Sequence, residues 1–407
     1  MKKWSFDVSK DDTLAVKGIA IMMMLVHHLF AFPARLLPGT HFNSLFVFSD
    51  ATTLEWHVSA FCKVCVAIFT LLAGYGIFKS YSSKLLPSDE QCETLLAFFA
   101  RRLKKLYFKV WPVFIVFVPL GLILGKPNVN TYVSHWIRNA LLLETNFNFE
   151  WWFLTEYVIL IFMTPMVMWF FRRKRSNIYN DIVWIILLNV FVTRILAGFV
   201  VKFPYTAELN VSYFWIKMSI ALSLLPIYMT GAWLAKYDVF ERAINSLRTS
   251  AVKRIVVAVL LLLVAYFLRD GWKQPDRWGI DFFDFAYASM VTLGVVLLVY
   301  RLRVVKSVLV IFGRQSIGIW LTHSFFCYYY FQELVYSPKN PILIFLLAFG
   351  LSFLSAWIID FACNGVYRLA GHAPENVVLV REEPRRNRFF RNRGRRGNGR
   401  RPPRDSK

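Results

Sequence analysis

Apolar residues along this chain neither alternate nor keep to one helical face. They come in runs of about twenty residues, separated by short polar or basic stretches. A helix crossing a hydrocarbon core about 30 Å thick needs about 20 mostly apolar residues. Ten runs qualify: 13–33, 57–78, 106–125, 151–171, 181–201, 213–235, 254–268, 282–300, 307–332 and 342–368. The seventh is short and borrows flanking residues. A membrane barrel would show alternating segments of about ten residues instead. The pattern predicts an all-α, polytopic membrane helix bundle of about ten transmembrane helices. Residues 1–12 form a terminal segment, 13–370 the transmembrane domain and 371–407 a tail.

Composition agrees with a bundle in lipid. Of the 407 residues 57% are apolar and 18% charged, with a mean hydropathy of +0.46. Soluble domains average about 45–50% apolar and about 25% charged, so too little polar surface remains here to face water. Charge then sets the direction. The basic residues gather at the N-terminus and after the second, fourth, sixth, eighth and tenth runs, as in Arg101–Lys105 and Arg172–Arg175. The alternate loops carry few. Lys and Arg collect in cytoplasmic loops, which predicts both termini on the cytoplasmic side (N-in/C-in). The tail from Arg381 to Lys407 has 11 Arg and one Lys and a net charge of +9. Its composition predicts disorder and binding to anionic lipid headgroups in preference to nucleic acid.

An ionisable group in hydrocarbon costs at least about 2.5–3.5 kcal/mol, which marks each one as a functional candidate. At about 1.5 Å per residue, His28 in the first run, His323 in the ninth and Glu156 in the fourth share one level in the outer half of the membrane. Lys63 and Arg194 fall near it. Lys17 and His28 are 11 residues apart, three helical turns and about 20°. They therefore lie on one face of the first helix, about 16 Å apart along its axis. A cation below and an imidazole above suit a long anionic carrier. The ordinary alternatives are a snorkelling Lys17 and histidines hydrogen-bonded between helices. His27, turned by about 100°, is read as a packing residue. Cys62 and Cys65 lie in an apolar helix without a second pair, which reads as inert buried thiols, and no metal site is expected.

Five stretches resemble acyltransferase family 3, the integral-membrane acyltransferases that mostly O-acetylate surface glycans. Lys17 to His28 is similar to its basic-x10-His signature, with Lys where many members have Arg. Phe69-Thr70-Leu71-Leu72-Ala73-Gly74-Tyr75 resembles FxLSG[FY], with Ala73 replacing Ser. Arg102 and Lys105 keep its R-x-x-R-like spacing. Trp152-Phe153-Leu154 with Glu156 resembles its WFL block, and Gly313, Ser316, Trp320, Leu321 and His323 its late block.

The resemblance implies an acyl-CoA-dependent O-acyltransferase of the bacterial inner (plasma) membrane, with acetyl-CoA as donor and a surface glycan or lipid-linked saccharide as acceptor. Lys17, Arg101, Arg102, Lys104 and Lys105 would hold the coenzyme A phosphates. His28 would act as general base or transient nucleophile, with Glu156 to orient it and His323 as a second base. Trp152, Lys63 and Arg194 are candidate acceptor contacts; an aromatic belt, which would also take in Trp272, and structural pairing are the plainer readings. The competing function is a transporter or flippase with a charged intramembrane path, for which repeat symmetry and broken helices would speak.

Overall fold

The computed structural model describes residues 8–84, 94–196, 213–247, 250–271 and 280–369. The Arg-rich tail 371–407 and Trp272 lie outside the described residues. The chain divides into residues 1–359, which hold the bundle, and residues 360–407, of which Asp360–Leu369 form a helix end.

The helices are, in order, α1 (Lys10–Phe30), α2 (Leu54–Cys62), α3 (Cys65–Lys84), α4 (Leu95–Ile123), α5 (Val133–Ala140), α6 (Trp152–Arg172), α7 (Ile178–Val190), α8 (Tyr213–Lys236), α9 (Val239–Leu247), α10 (Ala251–Gly271), α11 (Asp284–Val299), α12 (Arg303–Ser324), α13 (Gln332–Tyr336) and α14 (Pro341–Leu369). Among the described residues the only β pairing is an isolated bridge, Val47 with Thr53. Among the described residues nine helical stretches, with α2 and α3 counted as one, are long and apolar enough to cross a membrane, and α11 is a shorter tenth. Each of the ten apolar runs thus contains helix within its described part.

Several boundaries differ from the sequence reading. The helix expected from 106 starts at Leu95, because Thr94 caps it and Arg101–Lys105 extend it past the apolar run. The second span breaks at Lys63 and Val64 into α2 and α3. The ninth leaves α-helical form at Phe325 and continues as a π-turn to Tyr329, closed by Tyr330 N–H to Phe325 O at 2.8 Å.

Two close crossings set the frame. A Cβ on Gly18 would stand 2.2 Å from the main-chain oxygen of Leu309, and one on Gly313 would stand 1.9 Å from that of Leu14. Each glycine thus lets α1 and α12 touch backbone to backbone. Gly74 and Gly231 do the same for α3 and α8, at 1.9 Å from Tyr228 O and Leu71 O. Small residues are the usual means of close helix approach in lipid, where no hydrophobic force drives helices together. At the basic end, Ser9 and Asp12 form a capping box for α1, and Lys306 Nζ reaches Asp12 Oδ1 at 2.6 Å. That pins the starts of α1 and α12 together, so the two helices run parallel and their far ends also meet.

Candidate active site

Parallel packing of α1 and α12 has a direct consequence at their far ends. His28 and His323 face each other with ring centroids 4.9 Å apart. His323 is fully buried and His28 half-buried. His323 Nδ1 lies 2.5 Å from the carbonyl oxygen of Trp320, one turn earlier, and its Nε2 is buried with no hydrogen-bond partner. His28 Nδ1 lies 3.3 Å from the hydroxyl of Tyr328.

Below the imidazoles, between α1, α3, α4, α6 and α12, is a cavity of about 190 Å³. Lys17 and Arg102 supply its cationic side, and Ala73 and Gly76 leave it room by lacking bulk. Its far wall is aromatic: the Trp320 ring stacks on Phe69 at 5.7 Å and tilts against Phe153 at 4.9 Å between centroids. Trp320 is thus shared, lining the cavity with its indole and holding His323 with its carbonyl. Arg102 Nε is buried and has no hydrogen-bond partner, so the cavity fits an anionic group.

A family model described as an acyltransferase domain, that of acyltransferase family 3, matches residues 15–361. The chain belongs to acyltransferase family 3. No curated protein and no solved structure matches it. With its apolar helices, the family makes this a multi-pass integral membrane acyltransferase.

Within this acyltransferase the other candidate residues are dispersed. Glu156, expected beside His28, is fully buried and faces Lys217 on α8, with Nζ 3.5 Å from its Oε1. The helix carrying it starts at Trp152 and turns Glu156 towards α8, while Phe153 packs on Trp320 of α12. Lys63 and Trp152 line a separate void of about 10 Å³ with Asp284, room for about one water. Arg194 is exposed, its guanidinium 5.0 Å from the Phe282 ring centroid. Lys104 and Lys105 are exposed on α4, and Arg101 stands 5.6 Å from the Phe98 ring centroid; none of the three lines the cavity. His27 has Nδ1 on Ser59 O at 2.9 Å, a packing contact. Cys62 and Cys65 are buried free thiols.

Sequence reasoning missed five residues. Arg35, in the loop after α1, pairs with Glu150 at 2.7 Å, and Tyr329 donates to the other Glu150 oxygen at 2.7 Å. Burial acts against the charged Arg35 guanidinium, but the Glu150 carboxylate outweighs it and holds the group above its ordinary pKa. The Tyr328 ring lies 3.5 Å beneath that guanidinium, and its hydroxyl donates to the main-chain oxygen of His28. Glu150 is held over the histidines by α12: Trp320 Nε1 donates to Glu150 O at 3.2 Å and Trp151 Nε1 to Leu321 O at 3.0 Å. The signals available were three consecutive tyrosines soon after His323, and an acid beside the paired tryptophans. Lys217, the fifth, was visible as a basic residue inside the sixth apolar run.

Proposed function

We propose that this acyltransferase moves an acyl group, acetyl foremost, from cytoplasmic acyl-coenzyme A to a hydroxyl of an exported or lipid-linked carbohydrate. One observation carries the reading: a cavity with Lys17 and Arg102 on its wall ends against Trp320, one helical turn below the His28 and His323 pair. Lys17 and Arg102 bind the donor phosphates by charge and hydrogen bonding. The apolar walls take the uncharged arm and bring the thioester to the aromatic stack. The donor itself supplies an activated acyl group.

His28 then serves as general base. Its Nε2 takes the proton of the acceptor hydroxyl as that oxygen forms its bond to the acyl carbon. The carbon–sulfur bond breaks, and the proton returns from His28 to the departing sulfur, leaving a free thiol and an ester. The second role open to the same nitrogen is to take the acyl group itself before passing it on. His323 Nε2 is a neighbouring base for either route. The positive-inside bias of the basic loops supports a donor side in the cytoplasm, and a bacterial inner membrane is what the family resemblance implies.

Membranes carrying the protein, supplied with labelled acetyl-CoA, test the reading. Label in carbohydrate, lost in His28→Ala at equal expression, is expected. Full labelling in that variant, or carbohydrate moved across the membrane unmodified, would overturn it.

A further inference from the structure

The geometry points to Tyr328 as a positioning residue that fixes the tautomer of His28, with Arg35 and Glu150 holding Tyr328 in place. The inference rests on His28 being the base proposed above.

A phenol carries one proton. Tyr328 places that proton on the main-chain oxygen of His28, so towards the ring its oxygen can only accept. The His28 Nδ1, 3.3 Å away, therefore bears a hydrogen, and the lone pair sits on Nε2. A separation of this length is common before substrate arrives and tightens in the working complex. The same logic fixes His323: a carbonyl accepts only, so Nδ1 opposite Trp320 O bears the hydrogen and Nε2 the lone pair. Both rings thus offer Nε2 as the basic nitrogen.

The π-turn at Phe325–Tyr329 is the device that puts Tyr328 there. Such turns insert an extra residue and are frequent at functional sites. Here the turn sets Tyr328 against His28 and the adjacent Tyr329 against Glu150. The carboxylate of Glu150 fixes the Arg35 guanidinium, whose flat face covers the Tyr328 ring and limits its rotation. Gln332 ties down the Arg35 segment, donating to Arg35 O at 3.1 Å and accepting from Leu37 N at 2.7 Å. The chain therefore reaches His28 in the order Glu150, Arg35, Tyr328. The titratable and charged groups around His28 are His27 on α1, His323 on α12, Tyr328 on the π-turn, Arg35 on the loop after α1 and Lys63 at the α2–α3 break. Among the hydrogen bonds to its Nδ1, the Tyr328 hydroxyl supplies the acceptor.

A hydroxyl that merely tied down the end of α1 would leave the ring tautomer unaffected, and that separates the two roles. The test is nitrogen NMR on full-length protein in lipid nanodiscs, with labelled histidine and the His28 signal assigned by its loss in His28→Gln. Wild type is expected as the Nδ1–H form. Tyr328→Phe keeps the ring and removes the acceptor, so a mixture with Nε2–H is expected. Glu150→Gln, which preserves volume, stands in where Tyr328→Phe fails to fold, and the same shift is expected. An unchanged Nδ1–H signal in either folded variant overturns the inference. In the acetyl-CoA assay, Tyr328→Phe should lower kcat about a hundredfold with KM for the donor unchanged. Wild-type protein inactive with acetyl-CoA would count against the acetyl-CoA reading alone, because the NMR shift decides the role of Tyr328 without turnover.

Discussion

Gly74 and Gly76 lie two residues apart on α3, yet filling the two positions should act oppositely. A Cβ on Gly74 would stand 1.9 Å from the main-chain oxygen of Tyr228, whereas one on Gly76 would meet nothing within 4 Å. A main-chain oxygen cannot rotate aside, so Gly74→Ala must push α3 from α8 and loosen the reciprocal contact of Gly231 with Leu71. Forced overpacking of this kind costs about 1–3 kcal/mol. Gly76→Leu instead places its side chain in the cavity of about 190 Å³ beside Lys17 and Arg102. Replacing a helical glycine recovers up to about 1 kcal/mol of backbone propensity, so the variant should melt at or above the wild-type temperature. Donor affinity should fall at least tenfold, or about 1.4 kcal/mol. Thermal melting in detergent and binding of labelled acetyl-CoA, measured on both variants, read the two effects separately. Wild-type affinity in a folded Gly76→Leu would refute the cavity as the donor site, and wild-type stability in Gly74→Ala would refute the account of the crossing.

Other outcomes follow from the same geometry. Lys217→Met leaves the Glu156 carboxylate buried without its cation, for a loss of about 3–5 kcal/mol; adding Glu156→Gln should restore most of it, as a double-mutant cycle of melting temperatures will show. Were the single and double variants equally unstable, the pair would not be a structural tie. Lys17→Met and Arg102→Gln should each raise KM for acyl-CoA by about tenfold, with kcat little changed, since a charge-assisted contact to phosphate contributes on the order of 1.5–3 kcal/mol. A fall in kcat at constant KM would place them in chemistry and not in binding.

The apolar runs announced the bundle, because a span must satisfy its own backbone hydrogen bonds and must be apolar over its length. Within the described residues each of the ten runs contains helix, including Asp284–Val299, although the second is split in two. Boundaries were less legible where a polar stretch continues a helix beyond the hydrocarbon, as Arg101–Lys105 do in α4. The break at Lys63 and the π-turn after Ser324 leave no mark in the apolar pattern, which runs on through both. Depth along a helix placed His28 and His323 at one level but said nothing of azimuth. The structure turns His28 and His323 towards one another and Glu156 towards Lys217. The Arg35–Glu150 pair joins loops 115 residues apart, and the Tyr328–His28 contact spans 300 residues. Such pairings are created by the parallel docking of α1 and α12, so reading the spans one at a time could not reach them.

Transfer across a sealed bilayer tests the central claim most directly. In proteoliposomes of known orientation, labelled acetyl-CoA is supplied on the side of the α1 N-terminus and the carbohydrate acceptor on the opposite side. The account predicts labelled ester on the carbohydrate in this arrangement, none when the two compartments are exchanged, and none with His28→Ala. Equal labelling in both arrangements, or an ester formed at the wild-type rate without His28, would contradict it.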